Sequence, residues 1–250
     1  MRHVAPGHAG GERVDGTETT TIIRPRMKAT TSPPLAPIQR ETLHDQVYER
    51  VRGALMSAAL APGEVVTIRS LAATLGTSTM PVRDALKRLV AERVLEMLPN
   101  RSVRVPLMTL NRMVGLYDIR RTLEGLATER AAELLTRGDL RALERISREM
   151  IDAITRQRVD VYLSSHYRFY FTIYKAYSQE LVYIIEGLWL QAGPYFQLYF
   201  NESGCIKAGP DHLSRLVSAL RARDAVAARD LVERDIDEAS EYFSTCGKLD

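Results

Sequence analysis

The stretch from Leu71 to Val105 constrains the fold most, because it holds two short helical patterns that meet at a glycine. Gly76 follows the first pattern and can adopt the positive φ that ends a helix. Ser78 or Thr79 can cap the helix that follows. In this second segment the apolar residues recur at helical spacing and are Val82, Ala85, Leu86, Leu89 and Val90. The pattern predicts a helix-turn-helix.

The segments around this motif complete a small domain. Ala61-Pro62-Gly63 stops the preceding helix, and Pro99-Asn100-Arg101 joins two apolar runs that predict a strand hairpin. The predicted elements are helices at 42–59, 67–75 and 79–92 and strands at 94–98 and 102–105. Residues 41–106 are therefore predicted to form a winged helix-turn-helix, whose second helix can bury one side and offer the other to DNA.

The first 40 residues differ in character from the rest. They are rich in Gly, Thr and Pro and show no sustained periodicity, which predicts a disordered tail. They also lack the apolar run of a secretory signal, so a cytoplasmic location is expected. Met27 is a second candidate start of translation, and the sequence leaves the choice between Met1 and Met27 open.

Residues 109–247 are almost wholly helical in pattern and follow a hinge at Pro106 to Arg112. Helices are predicted at 109–136, 139–157, 160–178, 180–200, 209–222 and 224–245. Six helices of this length predict an all-α bundle. The fold class is therefore mainly α, with an N-terminal winged helix-turn-helix and a C-terminal helical domain.

The most apolar window, residues 181–200, has the length of a membrane span. Glu186 and Gly193-Pro194 interrupt it, so a buried bundle helix with a kink or break is predicted and no membrane partner is expected. Cys205 and Cys246 belong to no metal-binding spacing and are expected to be free thiols.

Charge alone does not identify a nucleic-acid binder here. The net charge of +3 divides into +2 for residues 1–41, +3 for 42–105 and −2 for 106–250. The positive charge thus accompanies the predicted winged domain and the tail, but the excess is small.

Several segments are similar to one known family. They are APGE, LAATLG and PVRDALKRL in the first domain and LYDIRRTLEGLATERAAELL and ALRARDAVAARDLVERD in the second. The chain resembles the GntR transcription regulators, specifically the FadR-type subfamily with an FCD effector domain, over most of residues 43–245. The resemblance implies a homodimeric DNA-binding regulator, most often a repressor, that binds a pseudo-palindromic operator and responds to a small metabolite such as an organic acid.

The resemblance also implies the operator contacts. At the positions where the family contacts its operator, this chain has Arg69, Ser78, Thr79, Arg83 and Arg101. Arg83 can make a bidentate contact to guanine, and a wing arginine such as Arg101 can enter a minor groove. Lys87 shares the polar face and is a further candidate, while a solvated helix surface is the alternative for Arg69 and Lys87.

This chain departs from the family pattern at three positions in the recognition helix and the wing. Many members carry arginine and threonine where it has Thr79 and Met80, and glycine where it has Ser102. The operator preference and the wing shape are therefore expected to differ from those of relatives.

Aromatic residues concentrate in one part of the helical domain. Thirteen of the seventeen lie between Tyr162 and Phe200, and a bundle core explains most of them. His166 and Tyr170 share one helical face there, so a buried imidazole and phenol would need polar partners. Such a cluster predicts a ligand pocket.

By resemblance, an FCD domain often holds a divalent metal through one aspartate and three histidines. This chain has His166, Tyr170, Leu213 and Asp235 at those positions, with His212 one residue away from the third. Only His166, Asp235 and His212 remain as candidate ligands, so a metal-free pocket is favoured.

The effector is expected to bind through hydrogen bonds from His166, Tyr170 and Asp235. Arg120 stands at the family's arginine position and is available for a carboxylate, while its alternative role is an ion pair with Glu124 one turn later.

Two other classes of function compete with a ligand-controlled regulator. The first is an enzyme that uses the helical domain for metal-dependent chemistry, but the sequence has no HExxH, GxSxG, P-loop or GxGxxG motif. The second is a DNA-binding protein without an effector, against which the polar residues of the predicted pocket weigh.

Overall fold

The computed structural model describes residues 43–202, 209–247 and 249. The predicted tail at 1–40, the candidate start at Met27 and Cys205 lie outside these residues. The first part of the described chain contains α1 Leu43–Met56, β1 Val65–Val66, α2 Ile68–Thr74, α3 Thr79–Ala91, β2 Glu96–Met97 and β3 Val103–Arg104. The second part contains α4 Leu110–Leu134, α5 Arg137–Thr155, α6 Val159–Tyr174, α7 Gln179–Glu202, α8 Gly209–Ala222 and α9 Ala225–Thr245. The predicted fold class, a winged helix-turn-helix followed by an all-α domain, is confirmed.

The three N-terminal helices pack around a small apolar core. Val51 and Leu55 of α1 meet Val82, Leu86 and Leu89 of α3 there. Local signals set the helix ends, as Thr67 accepts a hydrogen bond from the Ser70 amide at the start of α2. Ser78 takes the N-cap position of α3, but its hydroxyl makes no capping hydrogen bond.

The wing is a three-stranded antiparallel sheet in the order β1-β3-β2. The strands predicted at 94–98 and 102–105 are shortened to β2 and β3, and β1 was not predicted. Val65 of β1 pairs with Arg104, and Val66 pairs with Val103. Two residues cannot show the alternation that identifies a strand in sequence, so only the pairing with β3 defines β1.

In the helical domain α4 and α9 pack along each other, and α5 packs on α6. The residues Arg137-Gly138-Asp139 were predicted to separate two helices, but α5 already begins at Arg137. Thr136 accepts a hydrogen bond from the Asp139 amide, while the Asp139 carboxylate accepts one from the Thr136 amide. This capping box gives partners to the amides of Thr136 and Asp139, so the helix begins two residues earlier than predicted.

Helix α7 runs through Pro194 without a break, so of the kink or break predicted at Gly193-Pro194 the break is excluded. The end of α1 packs against this point. A β-carbon at Gly193 would lie 2.7 Å from the Leu55 carbonyl oxygen. No helix in the described ranges combines the length and apolar character that a bilayer span requires.

Polar contacts also join the winged domain to the helical domain. Arg52 of α1 forms an ion pair with Glu186 of α7 at 2.7 Å, and the Tyr167 hydroxyl donates to the same carboxylate at 2.7 Å. In the linker, the Met108 amide donates to the Tyr195 hydroxyl, which donates in turn to the Pro106 carbonyl. The segment predicted as a hinge is therefore fixed to α7.

The Gly193→Ala substitution is expected to destabilise the protein by about 1–3 kcal/mol, because the new methyl group would displace α1 from α7. Chemical denaturation of the full chain measures this loss. Gly187→Ala is the matched control on the same helix, since a β-carbon there meets no atom within 4 Å, and it should be neutral or slightly stabilising. Equal stability of the two variants would contradict the proposed close packing.

Candidate functional site

The polar face of α3 is fully presented to solvent. Val82, Leu86 and Leu89 are buried, so the helix turns Thr79, Met80, Arg83 and Lys87 outward. Met80 is 69% exposed and is the most exposed of the large apolar side chains that the structure describes. A surface of this kind is suited to the major groove of DNA, where an exposed methionine can contact a thymine methyl group.

The basic side chains of this domain fall into two groups. Arg69, Arg83 and Arg101 are exposed and form no ion pair with any residue that the structure describes. Arg88 is fixed to the domain, since it pairs with Glu92 at 3.0 Å and lies 3.8 Å above the Tyr48 ring. The first group keeps its charge free for phosphates or bases, whereas Arg88 does not.

Lys87 and the wing complete this surface. Lys87 lies 3.9 Å from the Asp84 carboxylate, a contact too weak to hold an exposed ammonium group. Arg101 occupies the wing tip with a positive φ of 63°, and Ser102 beside it is buried with its hydroxyl bonded to the Asn100 side chain. The serine therefore shapes the turn while the arginine projects from it.

The helical domain encloses a cavity of about 30 Å³ between α4, α6, α7 and α9. The four predicted effector residues, Arg120, His166, Tyr170 and Asp235, all line it. The other lining residues are Tyr117, Glu124, Trp189, Phe196, Tyr199, Phe200, Ile236 and Ala239. The structure thus brings together four predicted side chains that are up to 115 positions apart in sequence, from Arg120 to Asp235.

Arg120 is buried and already paired. Its Nε donates to Glu124 Oε1 at 2.7 Å, and the two residues are 4% and 1% exposed. The Tyr174 hydroxyl donates to the other Glu124 oxygen at 2.7 Å. The ion pair with Glu124, named above as the alternative role of Arg120, is the contact present, and it neutralises the guanidinium charge.

Tyr170 and Asp235 form the polar wall of the cavity. The Tyr170 hydroxyl donates to Asp235 Oδ2 at 2.7 Å, and His212 Nε2 lies 3.4 Å from the same hydroxyl. Burial, followed by the nearby Asp235 charge, raises the pKa of Tyr170 well above its ordinary value. The phenol therefore stays protonated and acts as a donor to the carboxylate.

His166 is enclosed by aromatic rings and is 7% exposed. Burial lowers the pKa of its imidazole to about 4, although Asp235 opposes the shift. The ring is therefore neutral near pH 7. Its Nδ1 atom is buried and has no hydrogen-bond partner among the described residues.

Two pocket residues were missed by reasoning from the sequence. Tyr117 and Trp189 were attributed to no site, yet the Tyr117 hydroxyl and the Trp189 Nε1 are buried without partners in the described part of the chain. Both line the cavity. The available signal was chemical, because a buried tyrosine or tryptophan normally finds a partner for its polar atom.

The residues do not fit the divalent metal that the resemblance implies. No group of three or more His, Cys, Asp or Glu side chains in the described ranges could hold a metal ion. Leu213 is a buried apolar residue, and the Tyr170 hydroxyl is committed to Asp235. His166, His212 and Asp235, the remaining candidate ligands, do not form such a group.

Comparison with known proteins places both domains. Residues 43–105 match the family of bacterial regulatory proteins called the gntR family, and residues 115–238 match the FCD domain. The regulator McbR of Escherichia coli K12 is 28% identical over 74% of this chain and 85% of its own length. The transcriptional repressor RspR of the same organism is 23% identical over 80% of this chain and 89% of its own.

Solved structures show the same architecture. The structure of E. coli McbR, also called YncC, superposes with a TM-score of 0.77 at 26% identity and covers 82% of this chain and 98% of its own. A GntR regulator from Rhodococcus superposes with a TM-score of 0.68 at 18% identity and covers 80% of this chain and 97% of its own, which supports the fold alone.

A winged helix-turn-helix joined to a helical domain with an internal pocket defines a DNA-binding transcriptional regulator. The chain belongs to the GntR family of such regulators, in the group that carries an FCD effector-binding domain.

The pKa of His166 predicts a contribution to stability that depends on pH. Because its folded pKa of about 4 lies below the ordinary value of 6.5, the unfolded chain binds this proton first as pH falls. As pH falls from about 6.5 to 4, His166 should therefore lower the free energy of unfolding. The His166→Gln variant lacks this proton-binding group and should lose less stability over the same range.

Denaturant unfolding at pH 7 and pH 4.5 measures this difference. His44→Gln, at an exposed position, is the control and should show the same pH dependence of stability as the unmodified protein. Identical pH dependence in the protein and in His166→Gln would show that the imidazole titrates normally.

Proposed function

We propose that the protein is a cytoplasmic, homodimeric repressor that binds a pseudo-palindromic operator and responds to a small organic acid held in the FCD domain. The position of α7 between the pocket and the winged domain is the main support for this proposal. One part of its surface lines the pocket, and a neighbouring part packs on α1 of the winged domain.

On the DNA side, the proposed contacts are the residues already predicted. They are Arg69, Ser78, Thr79, Arg83, Lys87 and Arg101, all of them exposed. Arg83 lies at the centre of the exposed face of α3, where a bidentate contact to guanine is possible. The free hydroxyl of Ser78 and the amides at the start of α3 suit a phosphate.

A homodimer follows from this mode of binding. A single winged domain contacts one half-site, and two linked domains add their affinities on one duplex. A pseudo-palindromic operator matches the two-fold symmetry of such a dimer.

On the ligand side, buried donors favour an oxygen-rich ligand. Tyr117, Trp189 and His166 present polar atoms without partners to the cavity. A carboxylate can accept several hydrogen bonds at once. Tyr170 and Asp235 form the opposite wall. The guanidinium of Arg120 lies over the rings of Tyr117 and Trp189, and Glu124 already neutralises its charge.

Helix α7 connects the two sites. Trp189 and Phe196, seven residues apart, line the pocket. Glu186, Leu190 and Gly193 follow each other at spacings of four and three and contact the winged domain. A ligand that moves Trp189 would therefore shift the support of α1, and allosteric coupling of about 1–3 kcal/mol is typical for such an arrangement.

The proposed mechanism needs no catalysis. The relatives described above are named as transcriptional regulators, and the pocket serves to bind and release its ligand. A bound metal is not part of the proposal, because Tyr170 and Leu213 stand where ligands would be required.

Arg83→Ala is expected to remove most of the preference for the operator, because a bidentate contact is lost in both half-sites at about 1–3 kcal/mol each, and the phosphate contacts alone do not select a sequence. The operator is first selected from a random duplex pool with the unmodified protein, and gel shift and footprinting measure binding. Arg148→Ala, an exposed arginine of α5, should bind normally. Both variants should sediment as dimers, and an unchanged footprint for Arg83→Ala would refute its role.

Metal removal is expected to have no effect on the regulator. Protein purified without an affinity tag or chelator should contain well under one equivalent of divalent metal per chain by elemental analysis. Prolonged treatment with EDTA should leave the melting temperature and the operator affinity unchanged. One full equivalent of metal, or a loss of stability with EDTA, would contradict the metal-free pocket.

A further inference from the structure

Three buried polar atoms around the inner cavity lack partners in the described part of the chain. They are the Tyr117 hydroxyl, the Trp189 Nε1 and the His166 Nδ1. Each residue is at least nine-tenths buried and lines the cavity. Leaving such a group unsatisfied carries a free-energy cost, so a ligand acceptor placed among them would recover part of it.

The cavity of about 30 Å³ accommodates only a compact acceptor. One water molecule needs about 10–15 Å³ of such space, so the cavity is about the size of two to three waters. A carboxylate end group is small, planar and able to accept from all three donors, with the imidazole proton on Nδ1. The remainder of a metabolite must therefore lie elsewhere.

A second cavity of about 220 Å³ provides that space. It shares the four lining residues Tyr170, Tyr199, Phe200 and Asp235 with the inner cavity. Asp235 is thus the carboxylate that borders both spaces. Its Oδ2 accepts from Tyr170, while its Oδ1 lies 4.0 Å from His212 and retains capacity to accept.

The charges around the inner cavity do not favour a simple carboxylic acid. Glu124 already neutralises Arg120, and Asp235, whose side chain is 34% exposed, adds a negative charge at the border of the cavity. A ligand carrying only a carboxylate would place a second negative charge beside Asp235, and the repulsion between the two carboxylates would weaken its binding. A cationic group on the ligand removes this penalty by pairing with Asp235.

Charged side chains of both signs surround the mouth of the outer cavity. Asp211 and Glu238 stand there opposite Arg215 and Arg234, and all four side chains are exposed. None of these four lines the inner cavity, and exposed charges are screened by water and salt, so Asp235 is the charged residue of the outer cavity that faces a ligand in the inner one.

We propose that the pocket recognises a zwitterion of the amino-acid type. Its carboxylate accepts from Trp189, Tyr117 and His166, its ammonium group pairs with Asp235, and its side chain occupies the outer cavity. This assignment rests on the proposed function, because it specifies which organic acid the FCD domain binds.

Trp189 is the single tryptophan of the chain, so its fluorescence reports binding directly. The full-length protein is titrated with the twenty proteinogenic amino acids. For each binder the deaminated acid and the decarboxylated amine are tested, such as L-leucine, 4-methylpentanoate and 3-methylbutylamine. At least one amino acid should change the fluorescence saturably, and both fragments should bind at least 100-fold more weakly.

Two results would overturn the proposal. One is an acid that binds as tightly as its amino acid, and the other is an absence of any saturable response among the twenty. These comparisons use the unmodified protein and do not depend on how a variant folds.

Substitution of the carboxylate gives an independent check. Asp235→Asn should weaken the amino acid at least 10-fold while leaving the affinity of the deaminated acid unchanged or improved. Glu241→Gln, at an exposed position on the same helix that lines neither cavity, is the matched control and should bind normally. Equal affinities for the amino acid in the two variants would exclude pairing with Asp235.

Operator binding is measured on the same samples and separates this proposal from the proposed function. An amino acid that binds at Trp189 without changing operator affinity would support the ligand assignment and contradict the role of effector. A change in operator affinity caused only by simple acids would support the effector role and contradict the zwitterion.

Discussion

The close approach of α1 to α7 is the contact on which the relation of the two domains depends. Gly193 allows the backbone of Leu55 to lie where any side chain would collide, and Leu190 from the same helix enters the core of the winged domain. Arg52, Glu186 and Tyr167 add charge-assisted hydrogen bonds beside this contact. Because packed interiors do not deform continuously, a displacement of α7 must pass to α1 or break these contacts.

A second constraint governs the chemistry of the pocket. The buried pair of Arg120 and Glu124 places an arginine among aromatic rings without leaving a net charge. Breaking such a pair would leave an isolated buried ion, which is far more costly than keeping both partners. The proposed ligand contacts are therefore the neutral donors and Asp235, in place of a metal-bound carboxylate.

Much of the winged domain and of the helix content was accessible from the sequence. Gly76, Pro99 and the apolar stripe of α3 act locally, so spacing alone located the helices and the wing. The pocket was predicted in part, since His166, Tyr170 and Asp235 were named and do line one cavity. Tyr117 and Trp189 were missed because their periodicity is that of ordinary core residues.

The sequence by itself determined the family, the exposed basic face of α3 and the loss of the usual metal ligands, because each depends on residue type and local spacing. Only the tertiary structure decided that α7 continues through Pro194, that β1 joins the wing and that Tyr174 of α6 donates to Glu124 beside Arg120. These features arise from contacts between distant segments, whose free energy outweighs the local preference of a proline or of a two-residue run. Periodicity carries no information about such contacts, since it describes each segment without its partner.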